Sequence, residues 1–174
     1  MIDAARPRRA GRAPIGSTGA ARTILAFALA GGLAGLTGCG LSIPADPDGT
    51  LDRITGGELR VGASPSGDLV VVDRGEVTGP LADLIEGFAR EHDATVRWAV
   101  DSEEDLVAGL ESGKLDLAIG GMTAATPWSD RVSVTRGYPG VPESGGADTA
   151  VLLPLGENGL QAALETYLDG EVSR

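Results

Sequence analysis

The 174-residue sequence has one cysteine, one histidine and only two each of Trp, Tyr and Phe. A lone cysteine, Cys39, has no disulfide partner within the chain. A lone histidine, His92, excludes a metal site built from several His or Cys. It also excludes a Cys–His pair or Ser–His–Asp triad, unless His92 itself serves. His92 follows "FARE" at the end of a helical pattern, where a cation complements the helix dipole. Long apolar runs are missing too. The run at residues 23–35 is 13 residues long, and a bilayer span needs roughly 20. Basic residues are scarce beyond the start. Of 14 Lys and Arg, five precede Cys39 together with one acid, Asp3, so nine basic side chains face 24 acidic ones from Cys39 onward. Nucleic acid, whose phosphates need clustered Lys and Arg, is excluded as a partner. So is adsorption to anionic lipid head groups. The acidity reads as solubility and solvated helix faces.

The first 38 residues combine Arg6, Arg8, Arg9, Arg12 and Arg22 with a short apolar middle and a small-residue end. That order is a secretory signal. Residues 41–57, "LSIPADPDGTLDRITGG", are polar and contain Pro and Gly, as a tether does. From there to residue 170 the pattern becomes regular. "ELRVGAS" predicts a strand, and "DLVVVD" a second, followed by "RGE" as a turn. In "TGPLADLIEGFAREHD", Leu81, Leu84, Ile85, Phe88 and Ala89 share one helical face, with Pro80 in the first turn and Thr78 or Gly79 before it as cap. "ATVRWAV" predicts a third strand. "DSEEDLVAGLESGKLD" predicts a helix with Ser102 as N-cap, acids in the first turn and Gly113 at its C-terminal cap. "LDLAIGG" is a buried strand. "VSVTRGY" predicts a short strand, "PGVPESGGAD" a loop, and "TAVLLPL" a strand in which Pro154 must sit at an edge or end. "ENGLQAALETYLDG" closes with a helix that Asn158 caps and Gly170 stops. Strand and helix alternate as in an α/β domain with a mostly parallel sheet flanked by helices, where ligands meet the carboxyl ends of strands. "GGMTAATPWSDR", residues 120–131, begins at such an end.

Two resemblances add to this reading. "LTGC", ending at Cys39, resembles the bacterial lipobox. It implies that Cys39 is lipidated, becomes the mature N-terminus, and anchors the protein to the membrane outside the cytoplasm. "GGELRVGAS", "GEVTGPLADLIEGFA" and "LESGKLDLAIGGMTAATPWSDRVSVTRGY" together resemble the first lobe of extracellular solute-binding proteins of family 3, and "GENGLQAALETYL" resembles the segment that returns to that lobe. The resemblance implies a single periplasmic-binding-protein-like lobe, closed by a C-terminal strand and helix. The family's second lobe needs on the order of 80–100 residues, and only ten lie between Tyr138 and Thr149.

The resemblance also implies a site. Gly121 matches the exposed-backbone position and Thr123 the hydroxyl position that receive a ligand carboxylate. Thr126 opens "TPWSD", whose free N–H groups favour an anion if it forms a helical turn. Trp128 is a ring to stack on the ligand, or packs on the last strand. Arg131 is the candidate guanidinium for a bidentate pair with the carboxylate, or a surface partner of Asp130 or another acid. The family spaces Thr and Arg five apart, and Thr123 and Arg131 are eight apart. "SPSGD" lacks the aromatic that the family often places there. Asp83 matches an acidic position on the first helix, where an exposed structural acid is the better reading. The expected function is weak binding of a small solute, an amino acid or related carboxylate, as receptor for an ABC importer. The alternative is an interaction module that contacts a permease or another envelope protein. No cofactor, metal or catalytic constellation is expected.

Overall fold

A computed structural model describes residues 49–172. The signal segment, Cys39 and the tether up to residue 48 lie outside the described residues. Within the remainder, "TLDRI" forms a short helix, α1 (Thr50–Ile54), that seats Ile54 in the core with no exposure. The tether reading extended through these residues. A single apolar residue per turn over five positions is too short a signal for helical periodicity.

The chain continues as β1 (Glu58–Ala63), β2 (Val71–Asp73), β3 (Glu76–Thr78), α2 (Pro80–Glu91), β4 (Thr95–Val100), α3 (Glu103–Glu111), β5 (Leu117–Ile119), β6 (Ser133–Val134), β7 (Leu152–Leu153) and α4 (Asn158–Val172). Five strands form one sheet in the order β4-β1-β5-β7-β6. β1 runs parallel to both β4 and β5, and β7 returns antiparallel between β5 and β6. β2 and β3 form a separate antiparallel hairpin. The "RGE" turn is therefore only Arg74 and Gly75, both at positive φ, and Glu76 already belongs to β3.

Alternation along the strands divides the core. Leu59, Val61 and Ala63 of β1 and Leu117 and Ile119 of β5 face α2 and α4. Ala118 and Leu152 face α3, with Leu106, Val107 and Leu110. Both sides of β5 are covered, which explains the unbroken apolar run "LAI". α2 begins at Pro80 after Gly79, whose φ of 110° only glycine adopts readily. α4 presents Leu160, Leu164 and Leu168, each at most 1% exposed, and burying each contributes about 2 kcal/mol. It runs through Gly170 to Val172 rather than stopping there. Glycine weakens a helix interior by only about 1 kcal/mol, and Val172 packs against the core.

α3 shows how local chemistry sets the sheet's two ends. The Ser102 hydroxyl caps it, accepting from the Asp105 N–H at 3.3 Å. At its other end Lys114 N–H donates to the Gly109 carbonyl at 2.9 Å and Gly113 N–H to the Leu110 carbonyl at 3.0 Å, with Gly113 at φ 66°. This is a Schellman ending. It turns the chain straight into β5.

Candidate functional site

The carboxyl end of β5 opens onto Gly120 and Gly121, which differ sharply. Gly120 is buried, and a Cβ there would lie 2.9 Å from Met122 Sδ and 3.1 Å from the Ser64 carbonyl oxygen. Gly121 is exposed. A Cβ on it would meet only side-chain atoms: Ser66 Oγ at 3.0 Å, Ser66 Cβ at 3.7 Å and Glu103 Oε1 at 4.0 Å. The Gly121 main chain is thus framed by a hydroxyl from the loop after β1 and a carboxylate from the first turn of α3. Ser66 is held there because its N–H donates to the Val70 carbonyl at 2.9 Å. Glu103 follows the capping Ser102, so the cap fixes where its carboxylate stands.

The next residues are tied to the returning chain. Met122 carbonyl accepts from Ala150 N–H at 3.0 Å, and Ala124 N–H donates to the Asp148 carbonyl at 3.0 Å. Thr123 bridges Thr149, which also bridges Tyr138. Thr123 is half-buried, and its carbonyl accepts from Thr126 N–H at 2.9 Å. Residues 138–149 are closed at their base by the Tyr138 N–H donating to the Thr149 carbonyl at 2.8 Å. No second lobe intervenes between β6 and β7.

Thr126 is 8% exposed, and its hydroxyl accepts from the Trp128 N–H at 3.4 Å, an ST-type turn. Trp128 is half-buried against the α3 cluster, and its indole Nε1–H donates to Glu103 Oε2 at 3.5 Å. Arg131 lies over the Trp128 ring, 5.5 Å from its centroid. Its guanidinium makes a bidentate pair with Glu111, Nε to Oε1 at 2.9 Å and Nη2 to Oε2 at 2.5 Å. Those hydrogen bonds hold the Glu111 carboxyl below its usual value and raise Arg131. The structure therefore gathers Gly121, Glu103 and Trp128 at the carboxyl edge. Arg131 instead reaches the far end of α3 and lines a cleft that Thr123 does not.

That cleft, about 450 Å³, lies where β5 begins. Its rim includes Arg53, Arg60, Glu111, Asp116 and Arg131. Asp116 is 1% exposed. It accepts from Arg60 N–H at 2.9 Å, Arg60 Nε at 3.1 Å and Arg60 Nη2 at 2.6 Å, and from Arg53 Nη2. Two other clefts lie between α3 and β4, about 580 Å³, and between α2 and α4, about 550 Å³. Neither Gly121 nor Thr123 lines any of these three. Among the described residues, no group of three His, Cys, Asp or Glu gathers to hold a metal ion. No described helix is long and apolar enough to cross a membrane.

Ser66, Glu103 and Asp116 were not singled out from the sequence. The capping pattern "DSEED" placed Glu103 in a first turn, but nothing local said that the turn overlooks Gly121. Asp83 is exposed on the first turn of α2.

No protein-family model matches the sequence, and no curated protein matches it. Solved structures do match in shape. A point mutant of the arginine-bound form of domain 1 from TmArgBP has a TM-score of 0.62 at 22% identity, over 71% of this chain and 99% of that one. An ancestral amino-acid-binding protein, a precursor of cyclohexadienyl dehydratase, has a TM-score of 0.60 at 17% identity, over 71% and 93%. A periplasmic binding protein of high arginine specificity from Salmonella typhimurium has a TM-score of 0.56 at 11% identity, over 67% and 94%. The likeness is one of fold: a mixed sheet with a parallel core and flanking helices, with the architecture of a single periplasmic-binding-protein lobe.

Proposed function

We propose that the lobe binds a small solute, an amino acid or related carboxylate, at the carboxyl edge of β5. The observation that carries this is the exposed Gly121 main chain framed by Ser66 Oγ and the Glu103 carboxylate. Gly121 and the Thr123 hydroxyl meet the ligand carboxylate. Glu103 meets a cationic group, and the Trp128 ring lies beside it. Thr126 shapes the turn that presents Trp128. Arg131 reaches the carboxylate only by exchanging Glu111 for it, so the geometry favours Glu103 over Arg131 as the charged selector. An arginine-bound structure of one isolated domain in TmArgBP supports binding by one lobe. In this reading Cys39 carries the lipid, the lobe works outside the cytoplasmic membrane, and it delivers solute to an ABC importer without catalysis. A single wall leaves much of the ligand exposed, so affinity is low.

Isothermal titration with arginine, lysine, glutamine and glutamate tests this. Binding of arginine or lysine that Glu103→Gln weakens about tenfold, as loss of a charge-assisted bond predicts, supports it. Silence across the panel overturns it.

One observation favours a second reading. The strand-end residues line none of the three clefts, and the 138–149 loop is sealed at its base. Under that reading the edge contacts another envelope protein, and crosslinking in membranes yields a stoichiometric partner without any small-molecule binding.

A further inference from the structure

A single ring connects the two ends of α3. Residues 128–131 form a turn in which the Arg131 N–H donates to the Trp128 carbonyl at 2.9 Å and the Val132 N–H to the same carbonyl at 3.1 Å. The Trp128 indole N–H reaches Glu103, the first residue of α3, at 3.5 Å, and the Arg131 guanidinium reaches Glu111, the last. That guanidinium is 5.5 Å from the centre of the Trp128 ring. The two acids are eight residues apart on the helix, about 12 Å, yet one indole is all that separates Arg131 from Glu103. Glu104 also bears on Arg131. It stands seven residues before Glu111, two turns along the same face, and its negative charge acts on Arg131 alongside that of Glu111.

Glu103 has no cationic partner among the described residues. Arg131 has its partner in Glu111, through hydrogen bonds of 2.9 and 2.5 Å. A bidentate carboxylate holds a guanidinium more strongly than one charge at longer range, so Arg131 stays at the far end of α3. We propose that Glu111 is a positioning residue for the site at the carboxyl edge of β5. By keeping Arg131 at the far end of α3 it leaves Glu103 uncompensated, so that the site selects cationic over anionic solutes. This rests on the solute-binding reading given above. With the Glu111 charge removed, Arg131 follows the charge that remains, at Glu104, toward the first turn of α3. There its guanidinium offsets Glu103. A cationic side chain on the solute then loses its counter-charge, and an anionic one loses its repulsion. Lysine and glutamate carry the same α-carboxylate, so anything Arg131 gives to that group cancels in the ratio of their affinities.

The test is calorimetric titration of the full chain, in mild detergent, with lysine and with glutamate. Glu111→Gln should weaken lysine and strengthen glutamate about threefold each, and so lower the lysine-to-glutamate affinity ratio about tenfold. Adding Arg131→Ala to Glu111→Gln should return the ratio to that of the wild type, because the displaced cation is gone. A solute-free readout accompanies it. The Trp128 indole N–H resonance, assigned against Trp98→Phe, should move in Glu111→Gln as its acceptor meets the guanidinium. An unchanged ratio with lysine still bound overturns this inference and leaves solute binding standing. So does a shifted ratio that persists in the double variant, or an indole resonance that does not move. Silence of the wild type toward both solutes overturns the solute-binding reading and this inference with it.

Discussion

β5 begins and ends in opposite ways. At its start Asp116 is buried and receives hydrogen bonds from Arg53 and Arg60, one of them from the Arg60 main chain. At its end Gly121 is exposed, and the nearest polar side chains, Ser66 and Glu103, stand at the margin of contact. A buried carboxylate left without its partners is expensive, so the amino end has one arrangement. The carboxyl end has no such obligation. Residues that lock the lobe and residues that the proposed solute would meet are thus separated by the length of one short strand. The difference teaches where sequence change should harm folding and where it should harm recognition.

The largest effect is expected at the locked end. Asp116→Ala removes the acceptor of four hydrogen bonds, one of them from the Arg60 main chain, and urea unfolding should show a loss of about 3 kcal/mol. A loss under 1 kcal/mol would erase the contrast. Next comes Gly120→Ala, which forces a methyl against the Ser64 carbonyl and Met122 Sδ. Overpacking of this kind costs about 1–3 kcal/mol, read as a lowered Tm. Gly121→Ala, one residue on, should change stability by less than about 0.5 kcal/mol, because the side-chain hydroxyl of Ser66 can turn aside. Its effect should appear instead in calorimetry, as weaker solute binding. Equal stability losses at the two glycines would break the comparison.

The smallest effect concerns Glu111 and Arg131. The Glu111 carboxyl is held below its ordinary value of 4.5 by hydrogen bonds from Arg131. A depressed carboxyl pKa contributes stability that is complete above the ordinary value and is lost as pH falls through the depressed one. Acidification below about pH 4.5 should therefore release Arg131 from Glu111 and alter Trp128 fluorescence, since the guanidinium lies over that ring. Glu111→Gln should remove this acid transition while leaving unfolding by urea nearly unchanged.

Much of the lobe was legible because its signals are local. The α2 stripe, the Ser102 cap and the Gly113 ending each occupy a few consecutive residues and obey helix rules. The β5 run announced a buried strand. β3 was hidden because "EVT" is three residues long and pairs across a turn of only two. α1 was hidden because its packing, not its periodicity, makes it a helix. At the site, Gly121 was legible as a strand-end glycine. The Ser66–Gly121–Glu103 grouping was not, since it joins the ends of β1 and β5 to the start of α3. The destination of Arg131 was equally non-local. Twenty residues separate it from Glu111, and sequence spacing alone left both a ligand and a surface acid open to it.

The stitch at Thr149 has one further meaning. With Thr123 and Tyr138 both bridged to it, the mouth of the sheet is tied to the returning chain at two points. If the proposed solute binds there, it meets a surface already tied together, and binding should need no swing of the protein. Small-angle scattering curves recorded empty and saturated should superimpose.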